Sequence, residues 1–167
     1  MKTKEAIEIG KAGLRLFGID LPDSEEELKK LIEAETQNVK VNLAGREVKD
    51  LIDAPDMTDL EKVAATKILI NMTPPARFIG KHIFDSIMLK MVNISLKYGN
   101  SNVTAFAYMS YGWTLAGRDE FEAAYQYGEL ALKVNEKFNN ITFKCKLNMI
   151  FGSYISHWKN HLRTECE

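Results

Sequence analysis

The sequence predicts an all-α fold, an antiparallel array of about seven or eight helices. Apolar residues recur at three- and four-residue spacing along most of the chain, the period of a helix with one buried face. The four prolines and ten glycines are few, and they divide the sequence into helical blocks. Helix-capping patterns stand at two of the block starts.

Ala6, Ile9, Gly10, Gly13, Leu14 and Phe17 make residues near 3–17 a first amphipathic helix, stopped by Gly18 to Pro22. Ser24 followed by Glu25, Glu26 and Glu27 opens the next: a hydroxyl cap, a glutamate three residues on, and acids that complement the helix dipole. Leu28, Leu31, Ile32, Val39 and Leu43 carry it toward Gly45; Val39 and Val41 alternate like a strand, but no neighbouring segment would pair with them. A short helix over 46–54 ends at Pro55. Thr58-Asp59-Leu60-Glu61 is a capping box, and the stripe behind it is Leu60, Val63, Ala64 and Ile68, with Leu69 beside it. Thr73-Pro74-Pro75 should break this helix, because proline lacks a donor and clashes with the preceding turn. A fifth helix spans about 80–98 with Ile83, Ile87, Met91 and Ile94 on one face, and Gly99-Asn100 stops it. Helices over about 102–116 and 119–138 follow, and a last one over 141–164 carries Phe143, Leu147, Ile150, Phe151, Tyr154, Trp158 and Leu162.

The 167 residues are 46% apolar and 27% charged with net charge −1, the composition of one globular domain, 1–167, and not of a disordered chain. That near-neutral balance argues against a nucleic-acid partner. No apolar run approaches the roughly 20 residues that span a bilayer, so a cytoplasmic protein without a membrane partner is expected. Charge is uneven: residues 1–63 hold 10 basic and 15 acidic residues, and 64–167 hold 12 and 8. Ordinary surface scatter explains this as well as head-to-tail contact with neighbouring domains does.

Tyr108-x2-Tyr111-Gly112-x2-Leu115, then Phe121, Ala124 and Ala131, follows the tetratricopeptide pattern at its spacing. Small residues belong where paired helices cross closely, and larger ones fill the gaps beside them. Gly128 stands where an aromatic is usual, and Glu136 where a proline is usual. Ala6-x3-Gly10-x2-Gly13-Leu14 parallels Ala124-x3-Gly128-x2-Ala131-Leu132. The first helix thus reads as the second half of a repeat without its first half, as in a chain cut from a longer protein.

Further segments carry a family resemblance: Gly13-Leu14-Arg15-Leu16-x-Gly18-Ile19, Asp50-Leu51-Ile52-Asp53-x-Pro55-x-Met57-Thr58-Asp59, Met91-Val92-Asn93-x-Ser95-Leu96-Lys97-Tyr98-Gly99-Asn100-Ser101 and His157-Trp158-Lys159-x-His161-Leu162. Over about 5–163 the chain resembles the helical region of large signalling proteins, cyanobacterial ones above all. These join a serine/threonine kinase-like domain, a STAND-type ATPase, this helical segment, GAF sensor domains and a histidine kinase. The resemblance implies a non-catalytic segment between nucleotide switch and kinase output, partnered by the flanking domains.

Candidate chemistry is sparse. His157 and His161 share a helix face, but Trp158 stands where a zincin has glutamate and no third ligand is evident, so no metal is expected. His161-Leu162-Arg163-Thr164 lacks the acid and proline of a phosphoacceptor box. Cys145 and Cys166, 21 residues apart on one helix, are too distant for a disulfide, and neither has a paired base. Asn71, Asn93, Asn102 and Asn140 begin sequons without a secretion signal.

With Tyr108, Tyr111, Gly112 and Leu115 given to repeat packing, Phe106, Met109 and Trp113 project to the other side of their helix. That stripe is either core or a groove for a peptide or partner helix. The function expected is a protein-interaction and relay module without catalytic residues or cofactor, with a homodimer left open. The alternative is a helical small-molecule sensor whose pocket lies near Trp113 and the Pro74-Pro75 loop.

Overall fold

A computed structural model describes residues 2–159, and their elements follow from local chemistry. Lys2–Arg15 form α1. Ser24 caps α2 (Glu25–Leu43): its Oγ accepts the Glu27 amide at 3.2 Å and donates to the Glu27 carboxylate at 2.7 Å. α2 ends where Ala44 and Gly45 turn left-handed at φ 52° and 75°. Residues 46–55 form a 3₁₀ turn (Val48–Asp53) closed by the reciprocal side-chain caps of Glu47 and Asp50. Asp59 accepts the Glu61 and Lys62 amides at the start of α3 (Leu60–Ile79). After Gly80 come α4 (Lys81–Tyr98), α5 (Thr104–Ala116), α6 (Phe121–Lys137) and α7 (Ile141–Ile150). One π turn (Phe151–Ile155) and one 3₁₀ turn (Ser156–Trp158) continue α7. The fold is all-α, and no strand occurs among the described residues.

Three sequence expectations need correction. Pro74 and Pro75 do not end their helix, which runs on to Ile79. The Ile70 carbonyl, which the amide at position 74 would have engaged, accepts the Thr73 hydroxyl at 2.8 Å instead, so the acceptor orphaned by Pro74 stays satisfied. The buried face of α3 is also rotated from the expected stripe. Leu60 is exposed, whereas Ala65, Leu69, Met72 and Ala76 form the core face. Finally, the long last helix gives way after Ile150 to the π and 3₁₀ turns.

The chain divides into two units, residues 1–45 with 56–99, and residues 46–55 with 100–167. In the first, the packing order is α1 on α3, α3 on α4 and α4 on α2. α1 seats its small residues on α3: a Cβ at Gly10 would collide with Met72, and one at Gly13 would stand 3.2 Å from the Ile68 terminal methyl. The first helix, expected to be the second half of a repeat, therefore packs on α3 rather than on its sequence neighbour. Ala6 is exposed and takes no part in this packing; the stripe turns into the core only from Ile7 and Gly10 onward.

In the second unit α5 and α6 form the principal pair, with α7 and its turns lying on both. α5 is buried at every position except Trp113, which is half-buried. The 3₁₀ segment packs on α6. Asn100 secures it: its side-chain amide donates to the Leu51 carbonyl at 2.7 Å, and its backbone amide donates to the Pro55 carbonyl at 2.8 Å. The Tyr108 hydroxyl donates to Asn100 Oδ1 at 3.1 Å, which joins that segment to α5.

Candidate functional site

The repeat residues of α5 and α6 meet closely. A Cβ on Gly112 would lie 2.9 Å from the Ala124 carbonyl oxygen and 3.4 Å from the Gly128 amide nitrogen. Ala124, Ala131, Tyr108, Tyr111 and Leu115 are all buried there, while Phe121 is half-buried and stacks on Trp158 at 4.6 Å between centroids. Tyr127 meets Tyr111 edge-on at 4.9 Å and Tyr108 at 6.1 Å. Burial withholds water from the three phenols and pushes their pKa values up, so they stay protonated and act as packing groups. Gly128, where the repeat pattern has an aromatic, leaves room for one from elsewhere: the Phe151 ring occupies that space, 2.5 Å from where a Cβ would stand.

The stripe expected as core or groove is core. Phe106 and Met109 are fully buried. Phe143 of α7 lies 5.6 Å from the Phe106 ring, and the Lys146 ammonium sits 4.4 Å over it. Partial burial lowers the Lys146 pKa. Trp113 stacks on Tyr154 at 4.6 Å. Phe106, Met109 and Trp113 therefore offer no open groove; α7 and its π turn lie where a partner helix would have docked. Pro74 and Pro75, expected to form a loop beside a sensor pocket, lie inside α3 instead.

Exposed apolar residues occur elsewhere. On α1, Ile9 (68% exposed) points away from buried Gly10 and Leu14, and Leu16 (85%) is exposed in the turn just after the helix. On α7, Ile141 (77%), the free thiol of Cys145 and Met149 (54%) repeat every four residues on the outer face. Exposed apolar residues recurring along one side of a helix mark contact sites more often than scattered single ones do.

The first unit also carries polar clefts. One, of about 590 Å³, is lined by Ile7, Leu28, Ile83 and a ring of charged groups. Buried Lys11 is bonded there to the Asp23 carboxylate and to the Pro22 carbonyl at 3.3 Å. The lysine's hydrogen bond holds the Asp23 carboxyl below its ordinary pKa. Another cleft, of about 420 Å³, opens along the seam of α2 and α4. Glu35 is buried in it, with Lys90 Nζ at 2.6 Å from one oxygen and Asn93 Nδ2 at 2.7 Å from the other. Asn93 Nδ2 also donates to the Glu35 carbonyl at 2.9 Å, and Asn42 Nδ2 donates to Asn93 Oδ1 at 2.9 Å. Sequence reading missed this network. Its signal was an acid and an asparagine at core positions of two amphipathic helices, unusual unless the groups are paired.

Among the described residues no group of three His, Cys, Asp or Glu is placed to hold a metal. His161, Thr164 and Cys166 lie outside the described residues. Asn93 is buried within α4, as its helical placement implied. No helix among the described residues is long and apolar enough to cross a membrane.

With this geometry in view, the class the fold defines is an all-α helical module. The chain is similar to a signalling protein: over 101 residues it is 23% identical to hybrid signal transduction histidine kinase G of Dictyostelium discoideum. The match takes in 59% of this chain and 3% of that protein, so the chain spans a small part of its relative's length. No family model matches the chain, and no solved structure matches it.

Proposed function

We propose that the chain is a non-catalytic interaction and signal-relay module of a multidomain sensor kinase, built on tetratricopeptide-like helix pairing. The observation that carries this reading is the apolar surface left in water on α1 and α7, helices whose opposite faces are already packed. Helical arrays that end in water carry polar outer faces, whereas stripes such as Ile9–Leu16 and Ile141–Met149 suit coverage by another helix or domain. The likeness to a signal transduction histidine kinase supports a place in signalling. The partners in this reading are flanking domains of a parent protein that joins serine/threonine kinase-like, STAND ATPase, GAF and histidine kinase parts. A nucleotide-driven rearrangement there changes how the helices pack, and the change passes on to the kinase output.

The test is binding of the full chain to purified flanking domains of such a parent, with Ile9→Glu plus Leu16→Glu at α1 and the turn after it, and Ile141→Glu plus Met149→Glu on α7. At least one pair is expected to weaken binding by about tenfold or more, which is about 1.4 kcal/mol. The melting temperature should hardly move, since exposed substitutions stay within about 0.5 kcal/mol. Unchanged affinity in both pairs overturns the docking faces. ATP hydrolysis or self-phosphorylation by the chain overturns the non-catalytic reading.

A further inference from the structure

The seam between α2 and α4 is polar where two packed helices ordinarily meet through apolar side chains. α2 contributes Glu35, Asn38 and Asn42, spaced as one helix face; α4 contributes Lys90, Asn93 and Lys97 in the same way. Lys62 of α3 reaches the same cleft. Glu35, Lys90, Asn93 and Asn42 satisfy one another. That accounts for one ammonium. Lys62 and Lys97 are placed differently. Their ammonium groups stand 5.6 and 5.3 Å from the centroid of one ring, Tyr98, and no carboxylate pairs with either among the described residues. The cleft thus gathers three positive charges around one buried carboxylate, with side-chain amides along the same wall.

Two ammonium groups at this cleft, with no carboxylate paired to either among the described residues, leave positive charge that the negative face of the Tyr98 ring offsets only in part. A compact anion in the cleft would balance them and receive hydrogen bonds that ammonium and amide groups can give. The volume, about 420 Å³, lies within the range of small-molecule sites and is too small for a folded partner.

We propose that this cleft binds a small doubly charged anion, a phosphate-bearing or dicarboxylate molecule, held by Lys62 and Lys97 over Tyr98 with the Asn38 amide on its flank. Lys90 remains the counter-ion of Glu35 and fixes the wall against which the ligand rests. The site is independent of the docking faces on α1 and α7, so either proposal can fail without the other.

The experiment is calorimetric titration of the full chain with inorganic phosphate, pyrophosphate and succinate at constant ionic strength, with sodium chloride as the control. Saturable binding of at least one dianion with one site per chain is expected, and the phosphate and succinate arms distinguish the two ligand sources. Lys62→Ala with Lys97→Ala should weaken that binding at least about tenfold. Lys67→Ala, an exposed lysine of α3 that does not line the cleft, should leave it unchanged. Circular dichroism and melting of the double variant confirm that it still folds, since both lysines lie on the helix surface. Three results overturn the proposal: no saturable binding of any dianion, binding by the Lys62→Ala, Lys97→Ala variant as tight as that of the unsubstituted chain, or equal weakening by Lys67→Ala.

Discussion

Gly112→Ala tests the helix crossing on which the second unit is built. The added methyl would sit 2.9 Å from the Ala124 carbonyl oxygen, 3.3 Å from Ile155 Cδ1 and 3.4 Å from the Gly128 amide nitrogen. Two of these atoms are backbone and cannot rotate aside, so α5 and α6 must separate. Overpacking of this kind costs about 1–3 kcal/mol. Alanine recovers about 0.8–1 kcal/mol of helix propensity over glycine. The balance is a loss of up to about 2 kcal/mol, or a urea midpoint lower by up to about 1 M at a slope of about 2 kcal/mol/M. Gly13→Ala supplies the contrast. Its methyl meets only the Ile68 terminal carbon, at 3.2 Å, which can give way, so the propensity gain prevails and stability should rise by about 0.5 kcal/mol. Urea unfolding followed by circular dichroism measures both. A Gly112→Ala midpoint at or above that of the unsubstituted chain would refute the close crossing.

Thr73→Val keeps the side-chain shape but removes the hydroxyl that serves the Ile70 carbonyl, and should cost about 1 kcal/mol in the same assay. Asp23→Asn removes the carboxylate that pairs with buried Lys11, so the variant should melt lower at pH 7. Because Lys11 holds the Asp23 carboxyl below its ordinary value of 3.8, the pair stabilises the folded chain above that value. This contribution fades as pH falls through the lower folded pKa, so the melting curves of variant and unsubstituted chain should converge in acid; a constant gap from pH 7 to 2.5 would contradict the pairing.

Local signals were legible where one short stretch of chain contains all the chemistry. Ser24 caps the helix it announces, the box expected at Thr58–Glu61 marks a true helix start although Asp59 rather than Thr58 is its cap, and the small residues of α5 and α6 lie at the spacing that lets those helices cross. Expectations failed where a partner distant in sequence, or a neighbour's hydroxyl, decided the outcome. The rule that proline ends a helix holds for the backbone alone, and Thr73 supplied the missing donor. Periodicity marked Phe106, Met109 and Trp113 as one face, but could not say that Phe143 and Tyr154 would cover it. Ala6 matched the repeat by letter while standing one turn short of the crossing. The cleft escaped notice because Glu35 meets Lys90 and Asn93 across more than fifty residues, so an acid and an asparagine at core positions did not announce each other as partners.

That same network makes the union of α2 and α4 a keyed joint. Apolar helices can slide by a turn and exchange one set of contacts for a similar one. Here a slide would strand the Glu35 charge away from Lys90 and Asn93, and an ion left alone in the interior costs about 3–5 kcal/mol. Motion entering through either rod must therefore carry the other with it, as a rigid lever, or else spend enough energy to pull the key from its lock.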